Sequence, residues 1–251
     1  MHVSRTAPTG RRRPLQPTRA VGTAVVCLPA GTRPADLAAA ATATLAARGL
    51  ATAGVLPYFR ASTRRTGRLV DCWNGLTSGG PIGCLDLDGM RASAAAGAAN
   101  VWRLWHQVVA GTRPAQPFWV FADKYAADPA RYPLGKAQSD YLAQPRVLAM
   151  ATHNAFPGQV CPLPPATLEA FQAGFGTYVN LASLAAIPGD GFAPQSGGWL
   201  SPRSQRLADI LAYLSTANAH LTQMSGDAAL VAVASPACQH LPSNLQEASY
   251  P

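Results

Sequence analysis

Residues 91–110, RASAAAGAANVWRLWHQVVA, decide the class of fold. Val101, Leu104, Trp105 and Val108 fall at i, i+3, i+4 and i+7, one face of an α-helix, and the alanines before them favour the same conformation. Working outward toward the C-terminus, GTRPAQPFWVFADKY (111–125) reads as a proline-rich extended link, and Lys136 to Ala155 as a helix bent at Pro145. Beyond CPLPP (161–165) the pattern predicts a long helix from about Ala166, with Leu168, Phe171, Phe175 and Tyr178 on its buried stripe. IPGDGFAPQSGG (187–198) is expected to be a loop. A last helix follows, with Ser201 as N-cap, Pro202 in the first turn, and Leu207, Ile210, Leu211 and Leu214 at helical spacing.

Toward the N-terminus, PIGCLDLDGM (81–90) reads as a strand or extended loop, VGTAVVCL (21–28) as a strand, and ATAGVLPYF (51–59) as another. Between the last two, Pro34 to Arg48 favours helix and Gly49 is placed to end it. The expected fold is mainly α: a helical core over 21–234 with a few short strands, a flexible basic arm over 1–20 and a C-terminal tail over 235–251. A different grouping is also open. VGTAVVCL, the Pro34 helix, ATAGVLPYF, a helix near 67–76 and PIGCLDLDG would form a parallel α/β unit, giving an α/β N-terminal half followed by helices.

Charge is unevenly placed. Only 13% of residues are charged and the net charge is +8. Residues 1–68 hold eleven arginines against the single acid Asp36, a local +10, while 69–251 carry −2. Such a block reads as a tail that seeks a polyanion, above all nucleic acid. An organelle presequence has the same Arg-rich, acid-poor composition. The low charge elsewhere leaves much neutral surface for burial against other subunits. No apolar run is long enough for a membrane span, so no membrane partner is expected. Five scattered cysteines (27, 72, 84, 161 and 238) suggest neither a disulfide framework nor a metal knuckle, and fit a reducing compartment.

The sequence holds no GxSxG, Walker, GxGxxG or HExxH motif, and its two glutamates leave little for paired-carboxylate chemistry. No catalytic residue, cofactor or metal site is expected. Asp86-Leu87-Asp88-Gly89 is the nearest approach to a metal motif, and reads more simply as a strand running into a turn. His106, His153 and His220 read as ordinary core-edge or surface histidines.

The candidate nucleic-acid contacts are all arginines: Arg11, Arg12 and Arg13 in the arm, Arg64 and Arg65 in the basic loop over 60–68, Arg146 on an otherwise apolar helix, and Arg203 and Arg206 at the start of the last helix. Two cations at a helix N-terminus oppose its dipole, and are tolerable where that end faces phosphate. Arg146 needs a carboxylate or a phosphate as partner. Phe118, Trp119 and Phe121 offer rings that stack bases or pack a core.

An ordered set of short motifs spans roughly 100–155: Trp105, Gly111-Thr112-Arg113-Pro114, Trp119-Val120 with Asp123, Tyr132-Pro133, then Pro145-Arg146 leading to Met150-Ala151-Thr152-His153. This set resembles the core of flexuous filamentous plant-virus coat proteins, the potyvirus group in particular, and Ser201-Pro202 onward is similar to a later segment of theirs. The resemblance implies a helical core, arms linking neighbouring subunits, a groove for RNA backbone faced by Arg146, and a place in the virion or host cytoplasm. The function it implies is a coat protein packaging single-stranded RNA in a homo-oligomer of many copies. The FGTYVN segment (175–180) lacks the aspartate that family carries, and residues 20–90 have no counterpart there. The α/β grouping of that region instead resembles the N-terminal domain of serine recombinases; without a serine after the first strand, it implies a non-catalytic DNA-binding relative. A protein imported into an organelle, with 1–68 as presequence, is the third reading.

Overall fold

The computed structural model describes residues 22–62 and 66–236. Its middle layer is a four-stranded sheet. The central pair is β1 (Gly22–Leu28) and its antiparallel neighbour near the C-terminus, GTAVVCL and ALVAVAS, in which nearly every residue is buried. A strand covered on both faces reads as a continuous apolar run, and both segments do. After β1, a helix α1 (Leu37–Ala46) lies on one face of the sheet. The short β2 (Phe59–Arg60) pairs antiparallel with β3 (Leu76–Thr77) in a separate ribbon. Next, β4 (Gly79–Pro81) forms one edge of the main sheet.

The helical layer begins with α2 (Leu87–Val108). Asp86 caps it, accepting from the Gly89 N–H at 3.0 Å, and Arg60 sits 3.4 Å from the same carboxylate. The Asp-Leu-Asp-Gly motif is thus a helix start. A Cβ on Gly89 would lie 2.1 Å from Asp86 Oδ2, which is why glycine stands there. Then come α3 (Phe118–Ala127), α4 (Leu134–Leu142), α5 (Pro145–Asn154), α6 (Leu168–Gln172) and α7 (Phe175–Ala185). The chain returns through β5 (Gly191–Ala193), parallel to β1, and α8 (Leu207–Thr222) to β6 (Ala229–Ser235). The sheet order is β4-β6-β1-β5.

The two faces of the sheet bury different partners, as the period of two requires. Ala24, Val26, Leu28, Val231 and Val233 face Leu37, Ala41 and Leu45 of α1. Val25, Cys27, Leu230, Ala232 and Phe192 face the larger core built on α2, α7 and α8. There Ala94 and Ala98 of α2 are small enough to let α7 approach with Tyr178, Leu181, Ala182 and Ala185, all fully buried. Burial also presses the Cys27 thiol up to about 12.

The fold is therefore α-rich, yet it differs from the expected mainly α core in having a mixed sheet as its middle layer. The parallel β-α-β-α-β unit does not form. ATAGVLPYF contributes only Phe59 of β2 and an isolated bridge at Val55, residues 67–76 hold the end of a 3-10 turn, isolated bridges at Val70 and Trp73 and the start of β3 rather than an α-helix, and β1 takes its parallel neighbour from 191–193. The expected link over 111–125 contains α3, because the irregular stretch ends at the extended Pro117 and the FWVF run after it is apolar and helical. The expected helix over 136–155 is two, separated at Ala143–Gln144 before Pro145, which starts α5. The long helix from Ala166 breaks at Gly174, whose φ of 102° is open to glycine at little cost, and so Phe175 leaves the buried stripe. Ser201 is not an N-cap: the last helix starts at Leu207, with Arg206 in the capping position. Ser235 belongs to β6 and is buried, its hydroxyl donating to the Ala51 carbonyl at 2.7 Å, so it is not part of a tail.

Candidate functional site

Arg146 is the candidate arginine that the fold places in a built environment. It stands in the first turn of α5, half-buried, and its Nε donates to Thr112 Oγ1 at 3.1 Å. One terminal nitrogen donates to Gln172 Oε1 at 2.9 Å and the other to the Thr112 carbonyl at 2.8 Å. Gln172 is itself fixed by a reciprocal pair with Ala115, donating to its carbonyl and accepting from its N–H, both at 2.8 Å. Every acceptor Arg146 meets is neutral, and among the described residues no carboxylate forms an ion pair with it. Desolvation pushes its pKa below the ordinary arginine value, though a guanidinium stays charged at any physiological pH. The result is a half-buried, geometrically fixed cation without a counter-charge.

The surroundings are aromatic. The Arg146 guanidinium lies 5.6 Å from the centroid of Trp105, whose ring stacks on Phe171 at 5.1 Å and 6°. One turn away, Trp102 stacks on His106 at 5.0 Å and 19°, and its indole N–H donates to the Phe171 carbonyl. Trp102, Trp105, His106 and Arg146, with Thr112 and Gln172, wall an open cavity of about 410 Å³. No acid contributes to that wall. Trp105 is 4% exposed, and its indole N–H has no acceptor among the described residues. A buried donor left unpaired costs about 1–3 kcal/mol, so its persistence calls for a reason.

No protein-family model, curated protein or solved structure matches the chain. The chemistry of the site therefore rests on the geometry alone.

The other candidate arginines have different settings. Arg206 makes a two-oxygen pair with Asp123 (2.8 and 3.0 Å) and lies 4.7 Å above the Trp119 ring. The Trp119 indole N–H donates to Glu169 Oε2, which also accepts from the Leu207 N–H and so satisfies a free donor at the start of α8. Arg206 thus ties α8 to α3, and a carboxylate rather than a phosphate meets that helix end. Arg203 is exposed and shares the wall of a shallow depression with Asp209, which is bonded to the Ser204 hydroxyl. Arg11, Arg12, Arg13, Arg64 and Arg65 lie outside the described residues.

Phe118 and Phe121 meet Tyr141 edge-on, and Trp119 is covered by Arg206, so this aromatic group is packing rather than a base platform. Trp102, His106 and Gln172 were not singled out for binding from sequence. The spacing of Trp102 and His106, four apart on one helix, was the available signal. Gln172 had none, since Arg146 and Ala115, which it bonds, lie 26 and 57 residues away.

Proposed function

We propose that this protein binds single-stranded RNA, with the arginine-rich leader supplying the affinity, and that it does so as a coat protein in many copies. The segregation of charge carries this reading: +10 in residues 1–68 against −2 in 69–251. Within the folded body six cations pair with the body's own acids, as Arg33–Asp36, Arg60–Asp86, Arg68–Asp227, Arg91–Asp88, Lys136–Asp140 and Arg206–Asp123. Ahead of that body, residues 1–21 add Arg5, Arg11, Arg12, Arg13 and Arg19 with no acid among them. Neutralising phosphates releases condensed counterions, which makes a leader of this kind an effective, sequence-independent binder. The flat rings beside Arg146 favour unpaired bases over duplex.

Assembly into many copies is supported by apolar side chains on the surface of one region. Leu142, Leu148, Phe156 and Val160 are between 51% and 94% exposed along α4, α5 and the turn after them. A monomer with 13% charged residues gains by covering such a patch. The test is sedimentation of the full chain with and without RNA, followed by nuclease digestion. The reading expects a large assembly in which RNA is protected. A small species that neither grows nor protects RNA at low ionic strength overturns it.

A further inference from the structure

The cavity beside Arg146 asks for more than a point charge. A guanidinium carries five N–H donors; three are committed to Thr112 and Gln172, which leaves two free while the group is held in one orientation. Trp105 lines the same wall with its ring, on which the guanidinium lies. The site thus offers donors and a positive charge, with no carboxylate in its wall, so its ligand brings acceptor oxygens and negative charge. Arg103, whose guanidinium lies 5.9 Å from the Phe175 ring edge-packed on Trp102, adds positive potential nearby. Next to the donors is the Trp102–His106 stack, with His106 exposed at its outer end. A flat ring continues such a stack. The volume of about 410 Å³ lies in the range that accepts one small organic ligand.

We propose that this cavity is a subsite for one nucleoside monophosphate unit, its phosphate on the two free N–H groups of Arg146 and its unpaired base on the Trp102–His106 stack. The proposal rests on the RNA reading above only for the source of that unit. A residue of a single strand and a free nucleotide present the same chemistry.

Tryptophan fluorescence and the indole N–H resonances of the full chain report on the site directly. Titration with uridine 5′-monophosphate, adenosine 5′-monophosphate, a short oligouridylate, adenosine and inorganic phosphate separates the possibilities. The subsite expects the phosphorylated nucleotides to quench fluorescence and to move the Trp105 N–H signal. Adenosine and inorganic phosphate alone bind at least about tenfold more weakly, since each lacks one half of the contacts. Arg146→Met loses the response, Arg146→Lys keeps part of it, and His106→Ala, at an exposed position, weakens it about fivefold or more with the fold intact. An oligouridylate that binds more tightly than the mononucleotide marks the strand as the source. Equal binding marks a free nucleotide, which supports the subsite while removing this support from the RNA reading. If long RNA binds the wild type, Arg146→Lys and His106→Ala alike, with no quenching by any mononucleotide, the subsite is overturned and the leader-based reading stands.

Discussion

Replacing Arg206 by alanine separates a structural arginine from an RNA-facing one. The bond to Asp123 uses both carboxylate oxygens, at 2.8 and 3.0 Å, but the two side chains are 46% and 57% exposed, so water and salt screen it. Exposed pairs of this kind contribute about 0.2–1 kcal/mol. The cation over Trp119 at 4.7 Å adds about 0.5–1 kcal/mol. Against these, a positive charge at the start of α8 opposes the helix dipole, so removing it returns about 0.3–1 kcal/mol. The net expectation is a loss of about 0.5–1 kcal/mol. For a body of this size that corresponds to a fall of roughly 1–4 °C in Tm, shrinking at high salt. Thermal denaturation and an RNA salt titration on the same preparations read both consequences. Affinity for single-stranded RNA and its salt slope stay at wild-type values, because Asp123 already neutralises the charge. Asp123→Ala gives a similar fall in Tm, and the double variant is little worse than either single one. An Arg206→Ala protein with unchanged Tm and a slope smaller by about 0.7 would refute this reasoning and return Arg206 to the RNA.

Three further predictions concern the fold and its pH range. Gly79 has no room for a side chain: a Cβ would stand 2.2 Å from the Leu230 carbonyl oxygen and 2.8 Å from Val231 Cα, both backbone. Gly79→Ala therefore forces β4 off β6 and costs at least about 2 kcal/mol by denaturant unfolding, whereas Gly176→Ala, with open space around it, stays within about 1 kcal/mol. Burial pushes the Tyr141 hydroxyl, which donates to the Pro165 carbonyl at 2.8 Å, up to about 12. A pKa raised on folding means stability that is intact below the ordinary tyrosine value and is lost as pH climbs toward 12, and Tyr141→Phe reduces that alkaline loss in a pH series of melts. Asp140 accepts from the Tyr132 hydroxyl and from Lys136, which lowers its pKa, so its contribution is present at neutral pH and disappears as acid protonates it. Asp140→Asn flattens the acid limb of the same pH series.

Much of the helical layer was legible because its apolar residues keep a helical period. Trp105 of α2, Leu168, Phe171 and Tyr178 of α6 and α7, and Ile210 and Leu214 of α8 are buried as that period requires. The sheet was half hidden. VGTAVVCL stands out by its valines, but ALVAVAS alternates valine and leucine with alanine, and alanine says nothing about strand. Nor does any local signal indicate that β1 pairs with residues more than 160 positions away, since that register is decided by two-sided burial. In the site, Arg146 was legible as a cation on an apolar helix. Its setting was not, because Thr112 and Gln172 reach it from 34 and 26 residues away. The pairing of Arg206 was not legible either, because its partner Asp123 lies 83 residues earlier on a helix that the prolines around it disguise.

The leader is the central claim, and the salt dependence of single-stranded RNA binding tests it most directly. With Arg11, Arg12 and Arg13 replaced by alanine, three phosphate contacts are lost, and the slope of log affinity against log salt falls by about 2. A slope identical to that of the wild type, with RNA still bound, would mean that these arginines meet no phosphate and would contradict the account.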